Sequence, residues 1–319
     1  MKWVTYETGD GVRTGVLDGE SVRGLAAGTT LEGLLASGGL AEAGEDARRA
    51  PAEVRSVAEV RLLAPLRRPP SVRDGLCFLD HLRGCYRALG RDVQLAEVWS
   101  QNPAFYFANA DAIVGPYDDV PISPGSAMFD LELELGAVIG RGGRDLHPDR
   151  AEEHIAGFTL YNDWTARDHQ LVDMAQGIGM AKSKDGAITL GPALVTVDEL
   201  EPYRQDGRLV LELSATVNGA ELTSGTLDRM DWTFGELLAY VSRGTDLPPG
   251  SVIGSGTVPG GCLLEHVDTP ELGEFTCWLQ PGDVVSLSGT GLGETRQTVT
   301  QGVDVVPLRR GEESRAGRR

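Results

Sequence analysis

Residues Phe129-Asp130-Leu131-Glu132-Leu133-Glu134-Leu135 alternate apolar and acidic side chains without a break. Period-two alternation is the pattern of a strand with one buried face. Phe129, Leu131, Leu133 and Leu135 then share one face, and Asp130, Glu132 and Glu134 the other. At about 3.3 Å per residue, the Cα atoms of Glu132 and Glu134 are roughly 6.6 Å apart. Carboxylates that close repel unless something neutralises them. Water does this on a solvated strand face, and a hard divalent cation does it with oxygen ligands. The segment alone allows both.

A second segment shifts the balance. An apolar run over residues 155–161 leads into Asn162-Asp163-Trp164-Thr165-Ala166-Arg167-Asp168-His169-Gln170. A carboxylate at the end of such a strand, Asp163, is a candidate third ligand beside Glu132 and Glu134. An all-oxygen carboxylate set suits Mg²⁺, Mn²⁺ or Ca²⁺ rather than zinc. With a helix starting near Asp163, Arg167 and Gln170 fall one turn on, suited to the carboxylate and carbonyl oxygens of a substrate. The competing reading makes Asp163 a helix N-cap and Arg167-Asp168 surface charge.

Composition narrows the partners. The chain has 319 residues, 41% hydrophobic, with a formal net charge of −18. That charge argues against nucleic acid or an anionic membrane as partner and leaves a small-molecule substrate. There is no apolar leader at the N-terminus and no run of 18 apolar residues, so neither a signal peptide nor a membrane span is expected. Cys77, Cys85, Cys262 and Cys277 form no C-x-x-C pair. They read as buried small residues, with thiols kept reduced in the cytoplasm.

Length suggests one large domain or two. Residues 1–64 read as a small N-terminal unit: a hairpin over 4–17 turning at Gly9-Asp10-Gly11, then short helices over 31–40 and 43–50. The stiff stretch Pro65-Leu66-Arg67-Arg68-Pro69-Pro70 marks a linker at 65–71. A larger unit follows at 72–308, and the charged residues 309–319 read as a disordered tail. Within the larger unit we expect a helix over 77–89 and strands over 105–107, 129–139, 155–161, 193–197, 209–217, 252–255, 284–288 and 297–306. That is a strand-dominated α+β chain without regular β-α-β alternation. Gly140-Arg141-Gly142-Gly143 lacks the spacing of a dinucleotide fingerprint.

The order Glu132-Leu133-Glu134, then Asn162 to Gln170, then Ser183-Lys184-Asp185-Gly186 before Gly191-Pro192 resembles the fumarylacetoacetate hydrolase family. Gly254-Ser255-Gly256-Thr257 and Cys262-Leu263-Leu264-Glu265 extend the resemblance, which covers roughly residues 72–307. It implies a mixed β-roll catalytic domain behind a small N-terminal domain, and a homodimer formed through the catalytic domain. The stretch from Asp74 to His81 resembles the family segment in which an Asp precedes the catalytic His by seven residues. Glu265 matches the carboxylate that orients that His, giving a dyad that activates water; His266 is a rival base. His147, His154 and His169 read as surface or supporting residues. Lys184 resembles the family lysine that stabilises oxyanion charge. Tyr106 and Thr257 match substrate-contacting positions. Asp74 is a fourth metal ligand in animal-type members, whereas some bacterial members use three.

The expected activity is divalent-metal-dependent hydrolysis of a C–C bond in a β-diketone or acylpyruvate-like acid. Decarboxylation, isomerisation or tautomerisation, and hydration of a 2-oxo acid share its enolate chemistry, and a non-catalytic ligand-binding protein is the alternative of another class. Related bacterial sequences usually carry aromatics where this chain has Gly75 and Gly186. Either their loss opens a pocket for a bulky substrate such as a secondary metabolite, or the glycines serve backbone conformations at positive φ.

Overall fold

A computed structural model describes residues 1–91, 96–267, 269–273 and 275–306; the expected tail at 309–319 lies outside them. Two sheets carry the fold. The larger has 12 strands. Its main path runs Glu53–Ser56, Ser21–Gly24, Gly11–Asp18, Lys2–Thr8, Ile188–Thr196, Ile155–Asp163, Leu133–Ile139, Val252–Gly254, Val72–Gly75 and Phe105–Ala108. The second has five, in the order Ala220–Thr226, Glu212–Val217, Val284–Gly289, Gly293–Thr300 and Val120–Pro121. One apolar cluster, including Leu133, Leu135, Phe158, Leu213, Leu287 and Val299, fills the space between them.

The N-terminal hairpin forms as the Gly9-Asp10-Gly11 turn dictates, but it does not stand apart. Lys2 and Trp3 pair with Val195 and Leu194, so the first strand continues the central sheet. Trp3 is fully buried there. Helices occupy Leu31–Ser37 and Leu40–Arg49. The first is capped by the Thr30 side chain, and it ends at Gly38 in the left-handed region (φ 72°).

The strand expected over 129–139 is broken. Phe129–Asp130 pairs with Thr165–Ala166, and a separate strand begins at Leu133. The solvated acidic face is also absent: Asp130, Glu132 and Glu134 are as buried as the leucines between them. Alternation there separates two buried faces, one apolar and one charged. The strand expected over 297–306 is Gly293–Thr300, and the chain from 301 to 306 is irregular.

Candidate active site

Four neighbouring strands assemble the site. Val252–Gly254 lies between Val72–Gly75 and Leu133–Ile139, with Gly254 in register with both Asp74 and Gly136. Glu134 stands two residues from Gly136 and so faces the same side. Ile155–Asp163 pairs along the far edge of Leu133–Ile139 and ends at Asp163. Asp74, Glu134 and Asp163 thus converge, with a carboxylate oxygen of each within 4.8 Å of the others. Gly254 makes room for this convergence. A Cβ there would sit 2.1 Å from Asp74 Oδ1 and 3.0 Å from Glu134 Oε2. The Gly256 N–H reaches both, at 3.3 Å and 3.2 Å, and Thr257 Oγ1 donates to Glu134 Oε1 at 3.1 Å.

Burial and mutual repulsion work on this cluster together. Burial, then the charge of Asp163, raises Asp74 to about 8. Burial, then Asp74, pushes Glu134 well above the usual range, and a hydrogen bond joins the two carboxyls. Burial likewise raises Asp163. One of its oxygens, Oδ1, is buried without a partner among the described residues. Three carboxylates converging out of water, one with an unpartnered oxygen, are the donor set a hard divalent cation takes, so these residues fit one.

Glu132, expected as a ligand, is not in that cluster and faces two cations. Lys184 Nζ ion-pairs with Glu132 Oε2, and Arg167 Nη2 lies 2.8 Å from Oε1. Burial opposes its ionisation, but Lys184 and Arg167 outweigh it and hold it well below the usual glutamate range. Lys184 also pairs with Asp163 Oδ2 and donates to Thr165 Oγ1 at 2.9 Å. Burial opposes its charge, and Asp163 and Glu132 keep the ammonium protonated. Arg167, expected on the substrate, is engaged by the protein: Nε donates to Asp130 Oδ2 at 2.8 Å and Nη1 to Gln170 Oε1 at 3.1 Å. Asp130 also accepts from the Leu263 and Leu264 N–H groups at 2.8 Å and 3.1 Å. It therefore ties Arg167 to the segment that carries Glu265. Tyr106 donates to Asp163 Oδ2 at 2.6 Å.

His81 lies on the helix Leu79–Ala88, buried, with Nδ1 2.6 Å from Glu265 Oε1. The pair is 184 positions apart in sequence. Gly84, one turn on, lets the helix close on Glu265: a Cβ there would meet Glu265 Oε2 at 2.8 Å. The Gly260 N–H donates to that oxygen at 3.0 Å. Burial disfavours a charged imidazole, yet Glu265 overcomes it and raises His81 well above the usual value. His266 instead faces the Gly260 carbonyl at 3.0 Å, turned to the backbone.

Asp74, His81, Cys85, Tyr106, Glu132, Glu134, Arg167, Gln170, Lys184 and Thr257 all line one cleft of about 300 Å³. The lining also has an apolar part: Leu82, Tyr86, Leu89, Phe105, Met174 and Met180. The site residues missing from the sequence reading are Asp130 and the glycines 84 and 254. Asp130 was visible in the alternating segment. Gly254 stood in the Gly254-Ser255-Gly256-Thr257 stretch with no role assigned to it, and Gly84 gave no signal, because what each contributes is a missing Cβ.

Gly75 and Gly186 match neither reading offered for them. Neither has positive φ. A Cβ on Gly75 would lie 2.9 Å from Leu237 and 3.0 Å from the Gly254 carbonyl, so this glycine, itself part of the cleft lining, permits close packing behind the cleft. Gly186 lies near Ser123, away from the cleft lining. The inference of a pocket enlarged by two lost aromatics falls, and with it the argument for a bulky substrate.

Residues 71–300 match the family described as fumarylacetoacetate (FAA) hydrolase, C-terminal, and residues 1–65 match Rv2993c-like, N-terminal. The human mitochondrial oxaloacetate tautomerase FAHD2A is 35% identical over 204 residues, 63% of this chain and 60% of that protein. The match thus spans well under two thirds of that relative's length. The fumarylacetoacetate hydrolase structure from Exiguobacterium antarcticum aligns with 95% of this chain and 100% of its own (TM-score 0.74, 27% identity). The 2-hydroxyhepta-2,4-diene-1,7-dioate isomerase from Mycobacterium marinum aligns with 94% and 98% (TM-score 0.67, 25% identity). A strand-dominated catalytic domain behind a small N-terminal domain, with this cleft at its strand ends, belongs to the fumarylacetoacetate hydrolase family.

Proposed function

We propose that this chain is a divalent-cation-dependent hydrolase that cleaves a C–C bond in an acylpyruvate-like 1,3-dicarbonyl acid. One observation carries the reading: a buried His–Glu dyad and a cluster of under-neutralised carboxylates open onto the same cleft. Asp74, Glu134 and Asp163 would hold the cation, with Mg²⁺ the first choice and Mn²⁺ or Ca²⁺ alternatives. Bound there, it supplies Lewis-acid stabilisation to oxygen charge as that charge develops.

The protein's own groups do the rest. His81, turned by Glu265, takes a proton from water at Nε2 as the water adds to the distal carbonyl. The C–C bond then breaks, its electron pair stays with the 2-oxo acid fragment as an enolate, and the imidazolium returns a proton to carbon. The products are a carboxylic acid and a 2-oxo acid. Glu265 stabilises the transient imidazolium. Lys184, kept charged between Glu132 and Asp163, offsets negative charge at the cleft floor. The apolar part of the lining limits the water that reaches the site.

A second reading is keto–enol tautomerisation or isomerisation. It is favoured by the raised pKa of His81, since an imidazolium can carry a proton between carbon and oxygen of one substrate without activating water. A panel separates the two. Acylpyruvates are followed by loss of diketone absorbance with assay of the released acids, and oxaloacetate by enol–keto conversion with its carbon count unchanged. Release of two fragments supports hydrolysis. Interconversion without fragments transfers the site to the second reading, and carbon dioxide release to a decarboxylase.

A further inference from the structure

On the dyad side of the cleft stands a second donor set of a different kind. A ring nitrogen of His81, Cys85 Sγ and Cys262 Sγ lie within 4.8 Å of one another. Cys85 Sγ is 3.7 Å from His81 Nε2, and Cys262 Sγ is 3.6 Å from Glu265 Oε1. Both cysteines are free thiols. The hydrolytic reading gives neither of them a task.

We propose that His81, Cys85 and Cys262 form a binding site for a soft, thiophilic divalent cation such as Zn²⁺, and that its occupation switches the dyad off.

Three features support this site. The first is spacing. With bonds of about 2.1 Å to nitrogen and about 2.3 Å to sulfur, a tetrahedral Zn²⁺ holds N and S about 3.6 Å apart. The Cys85–His81 separation is already of that size. Sulfur lies almost as close to Nδ1, at 3.8 Å, so loading asks the thiols to swing toward Nε2 while Nδ1 stays on Glu265. The staggered χ1 wells of cysteine allow such a swing. The second is support of the ligand. His81 Nδ1 is hydrogen-bonded to Glu265, the carboxylate–histidine arrangement that fixes a ligating imidazole and raises its basicity. The third is access. Cys262 is fully buried, whereas His81 and Cys85 line the cleft, which gives an entry path.

The donor chemistry separates this site from the carboxylate cluster. Two thiolates and an imidazole prefer Zn²⁺ over Mg²⁺, and three carboxylates have the reverse preference. Each thiol releases its proton to solvent as its bond forms. The cation consumes the Nε2 lone pair that the dyad would use on water. That consequence rests on the function proposed above; the binding itself does not.

The test uses the reduced full-length protein with saturating Mg²⁺ and no substrate, titrated with Co²⁺ as the probe. We expect a thiolate-to-cobalt charge-transfer band that saturates at one equivalent and is bleached by Zn²⁺. Cys85→Ala and Cys262→Ala should each abolish it, and Cys277→Ser should leave it intact. Glu265→Gln should weaken Zn²⁺ binding roughly 10–100-fold. No band in the wild type, or a band that survives either alanine variant, overturns the proposal. Zn²⁺ inhibition of turnover at saturating Mg²⁺, relieved in both alanine variants, is then the activity readout. A protein that gives the band but turns over nothing in the panel refutes the proposed function and leaves the soft site standing.

Discussion

Glu132 and Glu134 stand two residues apart on one stretch of chain, both out of water and both lining one cleft, yet they meet different neighbours. Around Glu132 the protein brings in Lys184 and Arg167, and the carboxyl is held ionised. Around Glu134 it brings in Asp74 and Asp163, and the carboxyl is pushed toward its neutral form. One side is charge-balanced by the protein's own cations. The other gathers three carboxylates against one shared cation, Lys184 on Asp163. Under the function proposed above, the difference points an exogenous cation to the side of Asp74, Glu134 and Asp163, where Lys184 on Asp163 is the cation the protein itself supplies.

The largest expected effect separates the two sides by turnover. Glu134→Ala should lower activity on the order of 10²–10⁴-fold, since a Lewis acid contributes several kcal/mol to charge stabilisation. Chelation of the wild type with EDTA should reproduce the loss. Full turnover in thoroughly chelated enzyme would break the comparison at its root.

Next in size is the dyad on the opposite wall. His81→Ala and Glu265→Ala should each cost roughly 10²–10⁴-fold in kcat. The double variant should cost little more than either single one, because groups acting as a unit are not additive. Independent, multiplying losses would show that Glu265 does not act through His81.

Stability should respond on the charge-balanced side. Glu132→Gln removes the shared partner of Lys184 and Arg167 and leaves buried positive charge under-compensated. A loss of about 3–5 kcal/mol is expected, read by urea denaturation of the cation-free protein. A loss under about 1 kcal/mol would mean that Asp163 and Asp130 suffice as partners.

The last effect is in the pH dependence of the cation-free protein. Asp74 titrates at about 8 when folded and about 3.9 when unfolded. The folded state therefore binds its proton more tightly. The stability this gives is full below about pH 4 and is lost as pH rises toward 8. Glu134, also raised, acts in the same direction. Glu132 is lowered, so its contribution is lost only as pH falls below the ordinary glutamate range. Denaturation midpoints should fall between about pH 5 and about pH 8 without added cation, and saturating Mg²⁺ should flatten that fall. A midpoint that rises over this window would contradict the carboxylate arrangement.

Much of this was legible in the sequence, for local reasons. Strand Ile155–Asp163 declares itself by its apolar run, and the Phe129–Leu135 alternation places Glu132 and Glu134 on one side. What the alternation cannot report is the second layer. Lys184 meets Glu132 from 52 positions away, so a face that reads as solvated is buried against charge. The His81–Glu265 pair has no spacing signature at all and was reached through family resemblance. Glycines 84 and 254 work by omission, and a missing Cβ becomes meaningful only when the neighbouring carboxylates have positions. Gly75 shows the converse error. An absent aromatic was read either as empty space or as freedom for positive φ, and the glycine instead admits the Leu237 side chain and the neighbouring strand at Gly254.

Calorimetric titration of Mg²⁺ into wild type, Glu134→Gln and Glu132→Gln tests the central claim most directly, because it needs no substrate. The account predicts one Mg²⁺ site in the wild type, abolished in Glu134→Gln and retained in Glu132→Gln. Loss in Glu132→Gln with retention in Glu134→Gln, or no binding to the wild type, would contradict it.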